Sequence, residues 1–173
     1  MATADIQLFD IDADPGAWAN AIAGLKQTNC YDFDLDADYA IAGFAGPLTS
    51  AGGGPVSPGI LPDKITMNSP EGDLGNEMVA VGPSAGFGNP SNAVLANLFV
   101  ATFVISFDGE KVAFEFNALT LLGAGTIDIS VTDQNNVVTL FPGVFVDVGK
   151  NLGLLATNGQ TLSQVLFIDG VGA

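Results

Sequence analysis

Apolar and polar residues alternate with a period of two along much of this chain, the pattern of strands with one buried and one solvated face. Ile6-Gln7-Leu8-Phe9 reads as a short first strand. The period then changes. Asp14 can cap a helix, Pro15 suits its first position, and Trp18, Ile22 and Leu25 fall at i, i+4 and i+7 on one face. Gly24 weakens the end of this helix, which is expected to close one end of a barrel or sandwich.

Residues 30–42 carry the cleanest alternation. Tyr31, Phe33, Leu35, Ala37 and Tyr39 hold the odd positions, and Asp32, Asp34, Asp36 and Asp38 the even ones. The pattern predicts a half-buried strand with its carboxylates on the outer face, alternate ones about 7 Å apart. Residues 46–62 and 82–92 read as Gly/Pro-rich loops, with Gly52-Gly53-Gly54 a flexible tip, and residues 64–67 and 78–81 as short strands.

Residues 98–107 and 111–121 are predicted strands around Asp108-Gly109, a hairpin turn signal. The apolar run from Leu119 to Leu122 exceeds what one sheet face requires and is expected to meet a partner subunit. Residues 126–132 alternate, the turn Asp133-Gln134-Asn135-Asn136 follows, and strands are expected over 137–141, 144–148, 152–156 and 164–168. Roughly ten strands at spacings near ten residues predict one all-β domain over 1–173, an antiparallel β-sandwich of jelly-roll type with one short N-terminal helix.

Composition narrows the function. The chain has 173 residues, with 19 Asp+Glu, four Lys+Arg and no His, for a formal charge of −15. Four scattered lysines in such a field exclude nucleic acid as a partner and disfavour an anionic membrane surface. Without histidine, Ser-His-Asp and Cys-His catalysis is excluded. No apolar run reaches about 18 residues, so no membrane-inserted helix is expected. The opening Met1-Ala2-Thr3-Ala4-Asp5 is unlike a signal peptide, and the lone Cys30 reads as a small buried apolar residue.

The order of these motifs brings a family into view. A strand and a Trp-bearing helix (Pro15-Gly16-Ala17-Trp18) precede Asp32-Phe33-Asp34. Residues 126–136, Gly143 to Val146 and Val165 to Val171 follow. The series resembles the secreted β-sandwich domains of the PEP-CTERM, exosortase-sorted type. That resemblance implies a secreted or cell-surface module for carbohydrate binding or adhesion, with glycan as partner. Neither a leader nor a Pro-Glu-Pro sorting segment is expected here. Jelly-roll virion surface proteins are a looser likeness, and they need neither. The favoured expectation is therefore a non-catalytic structural or decorating subunit of a capsid or tail, on a virion surface or otherwise extracellular. It would dock to protein subunits of its own or a larger assembly.

Candidate sites are few. Four carboxylates on one strand face repel, and a divalent cation with hard oxygen ligands, Ca2+, would relieve them. In jelly-roll modules an acidic residue of the last strand lies near the first, which adds Asp169. The expected calcium ligands are thus Asp32, Asp34, Asp36, Asp38 and Asp169. The EF-hand spacing fails, because Ala37 and Gly43 stand where Gly and Glu are needed. No carboxylate pair marks a glycosidase, with Glu115 expected to face away from Phe114 and Phe116. Tyr31, Tyr39 and Trp18 are expected inward, which leaves few aromatics for a sugar platform. Gly52-Gly53-Gly54 lacks the Lys-Ser/Thr of a phosphate loop.

Overall fold

The computed structural model describes residues 5–27, 31–70, 78–86, 91–96, 102–118, 125–146 and 149–169. Its elements are β1 (Ile6–Asp10), α1 (Pro15–Ala21), β2 (Ile41–Phe44), β3 (Ile65–Asn68), β4 (Met78–Val81), β5 (Ala93–Ala96), β6 (Thr102–Lys111), β7 (Ala113–Ala118), β8 (Gly125–Asp133), β9 (Val138–Val146), β10 (Lys150–Ala156) and β11 (Leu162–Asp169). The strands form three sheets, ordered β1-β10-β7, β3-β6-β11-β8-β9 and β2-β4-β5. Every pairing among the described strands is antiparallel.

The first two sheets pack face to face as an all-β sandwich. Phe107 of β6 meets Phe114 of β7 edge-on, with ring centroids 5.0 Å apart, and Phe116 meets Phe167 of β11 at 5.1 Å. Ile6, Leu152 and Leu154 from one sheet join Ile129, Val131, Val146 and Val165 from the other in one cluster. The third sheet adds Phe44, Met78 and Ala80 to it. Each such side chain, fully buried, contributes about 1.5–3 kcal/mol of transfer free energy.

Helix α1 starts as predicted. The Ala17 amide donates to Asp14 at the N-cap (2.9 Å), and Pro15 opens the helix. It is shorter than the apolar spacing predicts. It ends at Ala21, Gly24 takes φ +90°, and Leu25 lies past the end, 46% exposed.

Residues 30–42 are not one strand. Within the described part, Phe33–Leu35 is a single 3-10 turn, and only Ile41–Phe44 pairs in a sheet. Aspartate side chains bond nearby backbone amides and so compete with the ladder. The Asp34 amide donates to Asp32 (2.9 Å) and the Ala40 amide to Asp38 (2.9 Å). Leu35 consequently points to solvent at 76% exposure. Asp32, Asp34, Asp36 and Asp38 therefore do not share a strand face.

The Asp108-Gly109 hairpin is also absent. Strand β6 runs through both residues to Lys111, pairing with β3 and β11, whereas β7 pairs with β10. Phe107 and Phe114 bury against each other from opposite sheets, so the chain crosses the sandwich at Val112 instead of turning back. Residues 137–148 were expected as two strands around Pro142-Gly143, but β9 is continuous through 146. It lies at the sheet edge, where a proline costs no ladder bond. Strand β5 falls between the loop expected over residues 82–92 and the strand expected over 98–107, where no element was expected. The loop over residues 46–62 is packed: Leu48, Val56 and Leu61 are buried, and a Cβ at Gly54 would collide with the Phe44 ring. Cys30 and the Leu119–Leu122 run lie outside the described residues.

Candidate functional site

The acidic segment is a clamped loop built around Asn92. Asn92 is 8% exposed and sits just before β5. Its Oδ1 accepts the Tyr39 amide (3.2 Å), and its Nδ2 donates to the carbonyls of Phe33 (3.0 Å) and Ala37 (3.1 Å). The Asn92 amide donates to Asp34 Oδ1 (2.6 Å). One asparagine thus satisfies backbone groups that a non-sheet loop leaves without ladder partners.

The remaining carboxylates fasten the loop to its neighbours. Asp36 Oδ2 accepts the Tyr39 hydroxyl (2.8 Å) and the Ser57 amide (2.8 Å). Asp38 Oδ2 accepts the Ser84 amide (3.3 Å). Ser57 hydrogen bonds, with a smaller part from Tyr39, hold the Asp36 carboxyl below its ordinary range. The Ala40 amide and then Ser84 do the same for Asp38. Burial, reinforced by the bond to Asp36, pushes the Tyr39 hydroxyl upward. Gly82 permits the fit: a Cβ there would collide with Asp38 Oδ1 and stand 2.7 Å from the Tyr39 nitrogen.

Among the described residues, no three His, Cys, Asp or Glu side chains are grouped to hold a metal ion. Asp36 and Asp38 are committed to protein donors. Asp32 and Asp34 are exposed and each accepts one amide. Asp169 is the last residue of β11.

A second constellation covers the outer face of the β1-β10-β7 sheet. The Trp18 indole N–H donates to Glu115 of β7 (2.8 Å), and its ring lies 5.3 Å from that of Phe9 on β1. Glu115 and Phe9 flank Gly153 of β10 in register, and the indole rests on that glycine. Beside it, Lys150 pairs with Asp10 (2.7 Å), and Asn151 donates twice to Asp12 (both 2.8 Å). These contacts hold Asp10 and Asp12 below their ordinary range, through Lys150 and Asn151 respectively. Trp18 is buried, as its place on the apolar helix face predicts; Tyr39 is buried and Tyr31 partly buried against the core, but from a loop and not from the alternating strand that their spacing predicts.

The third feature was not anticipated. On β9, Val138, Leu140 and Phe145 face solvent at 59%, 53% and 55% exposure. They lie on one face only because β9 is bulged. Ser130 pairs with Leu140 and Ile129 with Phe141, but Ile127 pairs with Val144, so Pro142 and Gly143 together oppose Asp128. Gly143 takes φ +63° and donates its amide to Asp128 (2.8 Å). The extra residue resets the alternation, turning Val144 and Val146 inward and Phe145 outward. The face continues over β8 as Thr126, Ser130 and Thr132, and over β11 as Gln164, Leu166 and Ile168, opposite the buried Ile129, Val131 and Val165. Sequence reading missed it because the bulge breaks the period-two signal at Pro142.

Comparison with protein-family models, with curated proteins and with solved structures finds no match to this chain.

Proposed function

We propose that this protein is a non-catalytic structural subunit that decorates the surface of a particle, a virion capsid or tail, and works by docking to neighbouring protein subunits. The observation that carries this reading is the uncharged β9 face. A −15 chain leaves three large apolar side chains of one strand more than half exposed, with no ionisable residue on that strand. Solvated apolar surface of this kind costs free energy unless a partner covers it. The acidic loop supports the same reading, since its carboxylates tie backbone together around Asn92.

Mass spectrometry and immunogold labelling of purified particles from the producing cells test the reading. The chain is expected in the particle fraction, with label on the outside. Recovery only as free protein would overturn it. Calcium at Asp32, Asp34, Asp36, Asp38 and Asp169 is an accessory proposal. It is supported by the exposure of Asp32 and Asp34 and read by a melting scan. A midpoint raised by millimolar calcium would support it. An unchanged midpoint would remove calcium and leave docking untouched.

A further inference from the structure

We infer that Asn158 is a site of spontaneous deamidation, guarded by Asp5 and coupled through it to the first strand of the sandwich. Asn158-Gly159 is the one Asn-Gly pair in the chain. It sits at the centre of an exposed turn between β10 and β11, closed by the Gln160 amide on the Thr157 carbonyl (3.0 Å). Asn158 takes φ +55° and Gly159 φ +77°, the signs of a type I′ turn. Gly159 has no Cβ to shield its nitrogen, and nothing beyond its chain neighbours lies within 4 Å of where one would stand. Among the described residues its amide donates to no acceptor.

Solvent water is the only co-reactant. The Gly159 nitrogen, once hydroxide has taken its proton, attacks Asn158 Cγ. The N–Cγ bond forms, the Cγ–Nδ2 bond breaks, and ammonia leaves with a proton from water. The five-membered imide then adds water at either carbonyl, giving an aspartyl or an isoaspartyl linkage. In sum one side-chain amide and one water become one carboxylate and one ammonium ion.

Asp5 controls both the rate and the consequence. Asn158 Nδ2 donates to Asp5 Oδ1 (3.0 Å), and the Asp5 carbonyl accepts the Thr157 amide (2.8 Å) and hydroxyl (3.2 Å). In the left-handed conformation the Gly159 nitrogen points away from the Asn158 side chain, so attack waits for the turn to open. The bond to Asp5 opposes that opening, and the Asp5 charge opposes loss of the nearby amide proton. The product reverses the relation. The donor is gone, and a new carboxylate faces Asp5 in a chain already at −15. The repulsion loosens the end of the β1-β10 ladder, where Ile6 pairs with Ala156.

Peptide mapping by mass spectrometry, after the intact folded chain is held at mildly alkaline pH, tests this. Isoaspartyl methyltransferase labels the isoaspartyl product. Residue 158 should convert ahead of every other asparagine, faster as pH rises, and more slowly than in the urea-unfolded chain. Asp5→Ala should speed conversion about two- to tenfold, the worth of one hydrogen bond. Hydrogen exchange reads the consequence. In the converted chain, and in Asn158→Asp, the Thr157 amide and those of β1 should open about two- to fivefold more often at low salt, the scale of one exposed charge pair. Asn158→Gly loses the bond without adding charge and should open less often than Asn158→Asp. Circular dichroism checks that all three variants remain folded. Asn158 left intact while the unfolded chain converts, a rate indifferent to Asp5→Ala, or unchanged exchange at Thr157 and β1 after conversion would overturn the inference.

Discussion

The indole of Trp18 lies so close to Gly153 that a Cβ at residue 153 would come within 2.7 Å of the ring. The pair joins a helix to the middle strand of a sheet, and only glycine leaves the gap the ring fills. Gly153→Ala should therefore lift Trp18 from the sheet and strain its bond to Glu115. A loss of about 1–3 kcal/mol is expected from such overpacking. Urea unfolding measures it, and Trp18, the one tryptophan in the chain, reports the displacement by fluorescence.

The loop of residues 31–40 should depend on Asn92. Asn92→Ala removes the acceptor of the Tyr39 amide and the donor to two carbonyls, leaving buried groups unpaired. The cost should be about 1–3 kcal/mol, with cleavage near residues 33–38 rising under limited proteolysis. Gly82→Ala should produce the same cleavage, because its Cβ would displace Asp38. Resistance of both variants would show that the loop is held by something else.

Stability should fall in acid with a defined onset. Asp10, Asp12, Asp36 and Asp38 are all lowered from 3.8 in the folded protein. Below 3.8 the unfolded chain binds protons that the folded one resists, so the contribution is complete above 3.8 and lost as pH falls through the folded values. Well above that onset these four carboxyls are ionised in both states, so the part of the midpoint they set should hold before it falls. Melting scans across pH check both limbs. Added salt at pH 7 should raise the midpoint, because it screens the self-repulsion of a chain at −15.

Deleting Pro142 and Gly143 together should be far more damaging than their exposed positions imply. Val144 would then follow Phe141 directly and the strand beyond Phe141 would change phase, whereas deleting Gly143 alone would leave Pro142 opposite Asp128 and keep the phase. Val144 and Val146 would then face solvent and Phe145 the core. Val146 is fully buried, and losing it and Val144 from the core should cost more than about 2 kcal/mol. Gly143→Ala keeps the count and should cost only the strain of φ +63°, about 1 kcal/mol. Chemical denaturation separates the two.

The sequence disclosed the parts whose signals are local and unopposed. The Asp14 cap, Pro15 and the alternation of residues 126–132 led directly to the start of α1 and to β8. It misled where one residue type obeys two rules. The aspartates of 32–38 satisfy the arithmetic of a strand, yet an aspartate two residues before an amide can bond it and fold the chain into a turn. Asp108-Gly109 is a good hairpin turn, but Phe107 and Phe114 gain more by facing each other across the sandwich. Asn92, the hub of the acidic loop, carries no local signal, because its partners lie more than 50 residues away.

The pairing of β1 with β10 sets Ile6 beside Ala156, so the first strand made is completed by one of the last. During synthesis, residues 6–10 must wait for that partner until residues 152–156 have left the ribosome. Closure across that span places the chain among slow folders, whose rates are governed by distant contacts. It also gives the cell an interval in which an unfinished molecule still exposes a sticky leading segment to passing chaperones.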